Sequence, residues 1–234
     1  MAKLEPLKSG LLAGRVAETI RRAIFSSHFQ PGAQLLEAHL ARELQVSQTT
    51  VREALVQLDR IGLVVRVPNK GSFVTNLSEQ ELRDRLAIRW LLEGLAWVEA
   101  AHHLTEEGYA ELERLLDADL ATAIRENDYP LAADVELEFH SVIWRNSGNP
   151  TLADTLSHLT PPLFVHATRQ RRDMGVSNAD ACERHRSVLV ALRTQDPAHI
   201  QEALSDHFGA FRSLFHQPSD AVQALAEGSF LTRC

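Results

Sequence analysis

The sequence predicts a mainly α-helical protein in two parts. Residues 1–76 read as a winged helix-turn-helix of three helices and a β-hairpin wing, and residues 77–234 as an all-α bundle of about six helices. Three observations predict this. Apolar residues recur at three- and four-residue spacing along most of the chain. A strand pattern occurs only at Leu63–Val67 and Ser72–Thr75. Charge is also divided: residues 1–76 hold ten Lys/Arg against six Asp/Glu, a balance of +4, while the rest holds fourteen against twenty-five, a balance of −11.

Residues 1–12 read as a loose arm, and Val16, Ile20, Ala23 and Ile24 mark an amphipathic helix from about Gly14 to Ser27. Pro31-Gly32 forces a turn. Leu36–Leu44 repeats the helical pattern, and only Gln45-Val46 separates it from the stretch Ser47–Ile61. There Val51, Ala54, Leu55, Leu58 and Ile61 form one inward face, and the Ser47 hydroxyl is placed to cap the first turn. The outer face carries Gln48, Thr49 and Arg52 at the positive end of the helix dipole, suited to base edges or phosphates. An ordinary helical hairpin in a core is the alternative, but a basic surplus favours a DNA-reading helix-turn-helix. Gly62 then stops the helix, and Leu63–Val67, Pro68–Gly71 and Ser72–Thr75 read as strand, turn and strand. A hairpin in this place is a wing, with Lys70 at its tip able to reach a phosphate or the minor groove.

Asn76-Leu77 is the only linker, followed by the capping-box sequence Ser78-Glu-Gln-Glu81. Helices are expected at 79–103, 106–126, 130–147, 151–172 with an interruption at Pro161-Pro162, 179–195 and 197–216. Asn149-Pro150 and Asp196-Pro197 each set a capping residue before a proline at the first helical position. Residues 217–234 are weakly patterned and read either as disordered or as an extra helix. No run approaches the ~18 apolar residues of a membrane span, and the N-terminus lacks the apolar core of a signal peptide, so a cytoplasmic location is expected. Cys182 and Cys234 make no disulfide framework.

Glu136 and His140, four residues apart, share a helical face with Ile143. His185 shares one with Val188, Leu189 and Leu192, and His207 with Leu204, Phe208 and Phe211. Taken singly, each histidine reads as a core residue satisfied by a neighbour. Four metal-competent groups on the inner faces of three helices also match the way bundle cores build ligand sets. Imidazoles with one carboxylate suit zinc, nickel, manganese or iron. Arg89, among Leu86, Ile88 and Leu92, reads as an exposed arginine paired with Glu93 at the i+4 position. His158, His166 and Arg169 are further candidates for the same cavity.

The run from Pro31-Gly through Leu40-Ala, Val46-Ser, Val51-Arg-Glu-Ala-Leu, Gly62-Leu and Lys70-Gly-Ser-Phe-Val resembles the GntR family of winged-helix transcription regulators. The resemblance implies DNA contact by Arg52 and by the turn Ser47-Gln48-Thr49-Thr50, with Gly71 letting the wing tip approach the backbone. Ala38 and Gln48 stand where some members carry arginine. Farther on, Arg89-x-x-x-Glu93-Gly, Glu136-x-x-Phe-His140, Ser147-Gly-Asn-Pro-x-Leu152, Glu183-x-His185-Arg and His207 resemble the FCD effector domain. It implies a divalent metal, zinc first among the candidates, on Glu136, His140, His185 and His207. It also turns Arg89 toward the metal cavity as a clamp for a ligand carboxylate. The first ligand position is usually aspartate or asparagine; here it is glutamate.

The function expected is a repressor acting as a homodimer on double-stranded DNA carrying a short inverted repeat, and released by a small carboxylate metabolite. With its short linker, a shift in the second part is expected to move the head. A metal sensor without an organic effector is a second reading. A metalloenzyme is a third, opposed by the absence of a nucleophile motif or phosphate loop and by a head it leaves unexplained.

Overall fold

The computed structural model describes residues 10–175 and 179–212, and the chain divides into two compact units, Met1–Asn76 and Leu77–Cys234. Most of the expected arm and the whole of 217–234 lie outside the described residues.

In the first unit, α1 spans Gly10–Phe25 and begins earlier than the apolar pattern suggests. Ala13, buried beside Val16, Ala17, Ile20 and Ile24, extends the stripe by one turn, and Gly10 and Gly14 obscure it in the sequence. α2 covers Glu37–Glu43 and α3 Gln48–Arg60. The turn between them is tight because Gln45 takes a left-handed conformation (φ 54°) and the Val46 N–H donates to the Ala41 carbonyl at 3.0 Å. The Ser47 hydroxyl caps α3 by accepting from the Thr50 N–H at 3.1 Å. Val51, Ala54, Leu55 and Leu58 are buried and pack α3 against α1 and α2.

The wing is built from β2, Val64–Val67, and β3, Gly71–Val74, paired antiparallel with Val64 opposite Val74 and Val67 opposite Gly71. A third strand, β1 at Gln34–Leu35, pairs with the other edge of β3, giving the order β1-β3-β2. Two residues are too few to show an alternation, so sequence pattern does not reveal β1. At the wing tip Asn69 and Gly71 have positive φ (61° and 103°), and Gly71 makes the second of these inexpensive.

The second unit is helical throughout its described residues. α4 runs Glu79–His103 and opens with the full capping box: the Ser78 hydroxyl accepts from the Glu81 N–H, and the Glu81 carboxylate accepts from the Ser78 N–H. α5 (Glu106–Arg114), a π-helical segment (Leu115–Leu120) and α6 (Ala121–Arg125) follow one another without leaving helical dihedrals. α7 covers Tyr129–Arg145, α8 Pro150–Leu159, α9 Pro161–Met174, α10 Ala181–Thr194 and α11 Pro197–Arg212. The expected interruption between α8 and α9 falls at Pro161-Pro162, whose missing N–H groups end one hydrogen-bond ladder and begin another. Trp97, Leu112, Leu116, Phe139, Trp144, Leu156, Val188 and Leu192 form the centre of the core. No helix among the described residues is long and apolar enough to cross a membrane.

Candidate metal centre and DNA-reading helix

Within the second unit, α7 presents Glu136 and His140, α10 presents His185 and α11 presents His207, all buried. The imidazole centroids lie 5.4 Å (His140 to His185), 5.1 Å (His140 to His207) and 4.8 Å (His185 to His207) apart. One ligand nitrogen from each falls within 4.8 Å of the other two. His185 Nδ1 lies 2.7 Å from the Ala181 carbonyl one turn back. A carbonyl can only accept, so that contact puts the proton on Nδ1 and leaves Nε2 with its lone pair. Burial first, then the neighbouring His140, holds His185 well below the ordinary imidazole range, partly countered by the Ala181 carbonyl. His207 is also held well below that range, by burial first and then by His185 and His140. Both rings are therefore neutral at pH 7, as metal ligands must be.

Glu136 stands at the edge of this triad. Its Oε2 is 4.0 Å from His185 Nε2, and its Oε1 is 3.6 Å from Arg171 Nη1 on α9. Arg184, partly buried, feels the same carboxylate. Beneath the triad lies a fully buried pair from α4. Arg89 Nε and Nη2 donate to Glu93 Oε1 at 3.0 and 2.9 Å, and the guanidinium lies 5.0 Å from the Phe164 ring centroid and 4.9 Å from that of Phe208. Trp97 Nε1 and Trp144 Nε1 donate to Glu93 Oε2 at 2.8 and 2.9 Å. Burial pushes the Glu93 carboxyl up, but His140, Arg89 and the Trp144 indole outweigh it and lower it to about 2.

Several buried polar atoms at this place have no hydrogen-bond partner among the described residues: Arg89 Nη1, Glu136 Oε1, both nitrogens of His140, His185 Nε2 and His207 Nδ1. Native interiors leave few such groups, because each costs roughly 1–3 kcal/mol. Six of them lie around this one cluster, which makes it a candidate site for a bound group.

In the first unit, Ser47, Gln48 and Thr49 are exposed at the start of α3, and Thr50 is half-buried with its hydroxyl 2.8 Å from that of Ser47. Arg52, exposed one turn on, forms a two-point pair with Glu37 at the start of α2: Nε lies 3.1 Å from each carboxylate oxygen and Nη2 2.6 Å from Oε2. Lys70 and Gly71 are exposed at the wing tip, and the Gln34 side chain donates to the Lys70 carbonyl at 2.8 Å.

Comparison with known families decides the identity of both units. The family described as "Bacterial regulatory proteins, gntR family" matches residues 12–74, and the family described as "FCD domain" matches residues 84–210. The chain is a GntR-family regulator with an FCD domain. It is 28% identical over 218 residues to the probable D-xylose utilization operon transcriptional repressor of Paenarthrobacter nicotinovorans, covering 93% of this chain and 95% of that one. It is 29% identical over 153 residues, 65% of this chain and 69% of the relative, to the HTH-type transcriptional regulator McbR of Escherichia coli. The solved structure of E. coli McbR/YncC has the same fold, with a TM-score of 0.73 at 24% identity over 88% of this chain and 97% of that one. These relatives are transcription regulators, and the GntR-family chain is a DNA-binding transcription regulator rather than an enzyme.

In this GntR-family protein the three histidines expected as ligands come together, while Glu136 touches the group only through His185. Arg89 corrects one reading of the sequence: it pairs with Glu93, but both side chains are fully buried rather than exposed. His158 is exposed and does not line the cluster, and His166 lies half-buried on α9 in the field of Arg169 and Glu79. Sequence reasoning took Glu93 only as a pairing partner and passed over Trp97 and Trp144. A signal was present, since Arg89, Glu93 and Trp97 repeat at four-residue spacing, as do Glu136, His140 and Trp144. Arg171, Arg184 and Phe164 carried no such periodic signal.

Proposed function

We propose that this regulator is a homodimeric repressor whose FCD domain holds a divalent metal, zinc before nickel, manganese or iron, and a small carboxylate that releases it from operator DNA. Its ligands are His140, His185 and His207, with Glu136 supplying an oxygen beside His185. The observation that carries the reading is the set of six buried polar atoms around the histidines that have no hydrogen-bond partner among the described residues. Three imidazoles fit a borderline divalent ion, and a carboxylate oxygen completes a set that leaves positions open. The ion would supply a Lewis-acid point for a ligand oxygen, and the free Nη1 edge of Arg89 would take the ligand's carboxylate.

In the head, Gln48, Thr49, Arg52 and the Ser47–Thr50 turn would read the major groove, while Lys70 and Gly71 bring the wing to the backbone. A ligand that prefers one arrangement of the dimer shifts the population of the DNA-binding form by its difference in affinity. The test is operator binding by chelated protein, by metal-loaded protein, and by metal-loaded protein with a panel of small hydroxy and sugar acids. Release by acid only in the loaded protein supports the reading. Release by metal alone would favour a metal sensor, and no response to either would remove both.

A further inference from the structure

We infer that Glu93 is a positioning residue that orients His140 and Arg89 together for the proposed metal–carboxylate site. Four N–H groups donate to this fully buried carboxylate, two from Arg89 and one each from Trp97 and Trp144, and a fifth nitrogen, His140 Nδ1, lies 3.2 Å from Oε1. The last is close enough for a hydrogen bond once the ring turns to align, though its present angle completes none. An acceptor at Nδ1 selects the tautomer protonated there and turns Nε2 outward as the ligand atom, the role that carboxylates behind metal-bound histidines commonly play. Because Nε and one hydrogen of Nη2 of Arg89 are used on Oε1, the Nη1 group, which has no hydrogen-bond partner among the described residues, is left to face a ligand. The indoles arrive from two different helices, α4 and α7, and fix Oε2. The carboxylate is therefore tied at one oxygen and works with the other.

No uncharged side chain reproduces this. In Glu93→Gln the amide NH2 must face either Arg89 and His140 or the two indole donors, and either orientation sets donor against donor. The inference rests on the metal reading above for its purpose, though not for its geometry.

The experiment uses the full-length protein and two measurements. The first is the tautomer of His140 in metal-free protein at pH 7, read from imidazole nitrogen shifts and assigned with a His140→Asn variant. The second is zinc affinity by chelator competition. Wild type should carry the His140 proton on Nδ1. Glu93→Gln should lose that preference and bind zinc about 10–100-fold more weakly, with Glu93→Asp, which keeps the charge, falling between. If Glu93→Gln does not fold, Glu93→Asp carries the test with the same readouts. An unprotonated Nδ1 in the wild type, or unchanged zinc affinity in a folded variant, overturns the inference. Failure of the wild type to bind zinc, nickel or manganese sinks the metal reading instead, and the tautomer still decides the role of Glu93.

Discussion

Replacing His207 with leucine separates a histidine retained for packing from one retained for binding, because the two roles predict opposite signs. His207 is buried, its Nδ1 has no hydrogen-bond partner among the described residues, and its ring meets the edge of Trp97 with centroids 5.6 Å apart. An unmet buried nitrogen costs about 1–3 kcal/mol, whereas the lost aromatic contact is worth about 0.5–1.5 kcal/mol. Leucine fills a similar volume without a polar atom. The metal-free His207→Leu variant should therefore be between unchanged and about 2 kcal/mol more stable than metal-free wild type. Adding zinc reverses the order. At 100 times its dissociation constant a bound ion stabilises wild type by about 2.7 kcal/mol. For a chain of this size that is a rise in melting temperature of roughly 5–11 °C. The variant should show little of it. The assay is a melting curve of chelated and zinc-loaded samples of both proteins. A variant that loses several kcal/mol without metal, or that keeps the full zinc-dependent rise, refutes the reasoning.

Other outcomes follow from the same geometry. Arg52→Ala should weaken operator binding by roughly tenfold to a hundredfold in a gel-shift titration, the range for an arginine at a base or key phosphate; unchanged affinity removes Arg52 from the interface. Arg89→Ala should cost about 3–5 kcal/mol in urea unfolding, because it leaves the Glu93 charge buried without its main counter-ion; a loss below 1 kcal/mol would mean the pair is not formed. Stability of the metal-free protein should fall as pH drops below about 6.5. Burial first, with smaller contributions from the neighbouring imidazoles and from Arg89 and Arg184, holds His185 and His207 low in the folded state. The unfolded chain thus binds the extra protons, and stability rises with pH across that window. Two such rings give a slope of about 2.7 kcal/mol per pH unit below the unfolded value; a flat profile between pH 6.5 and 5.5 would contradict their neutral burial.

The fold was largely legible because its signals are local. Ser47 and Ser78 cap helices through contacts three residues away, Pro161-Pro162 breaks a ladder by what proline lacks, and the apolar stripe of α3 needs only its own spacing. β1 escaped for the opposite reason: two residues become a strand only because β3 lies beside them, and that partner is some forty positions later in the chain. The earlier start of α1 escaped because Gly10 and Gly14 carry no apolar side chain to mark the turn that Ala13 buries.

The same distinction governs the centre. Helical spacing put His140, His185 and His207 on inward faces, and inward faces in one small bundle meet, so their convergence was legible in the sequence. What spacing does not carry is the identity of the second partner. Arg89 and Glu93 are an i, i+4 pair whether they lie in water or in the core, and the value of the pair differs several-fold between the two. The deciding residue is Trp144. It lies fifty-one positions beyond Glu93, and its indole N–H reaches the same carboxylate oxygen as that of Trp97. A carboxylate held by two indoles and a guanidinium can remain ionised without solvent, and an ionised acceptor behind His140 suits the metal-binding role proposed for that ring. The four-residue ladders Arg89–Glu93–Trp97 and Glu136–His140–Trp144 therefore amount to one device, two helices facing each other with a charge between them, and only their juxtaposition gives the spacing its meaning.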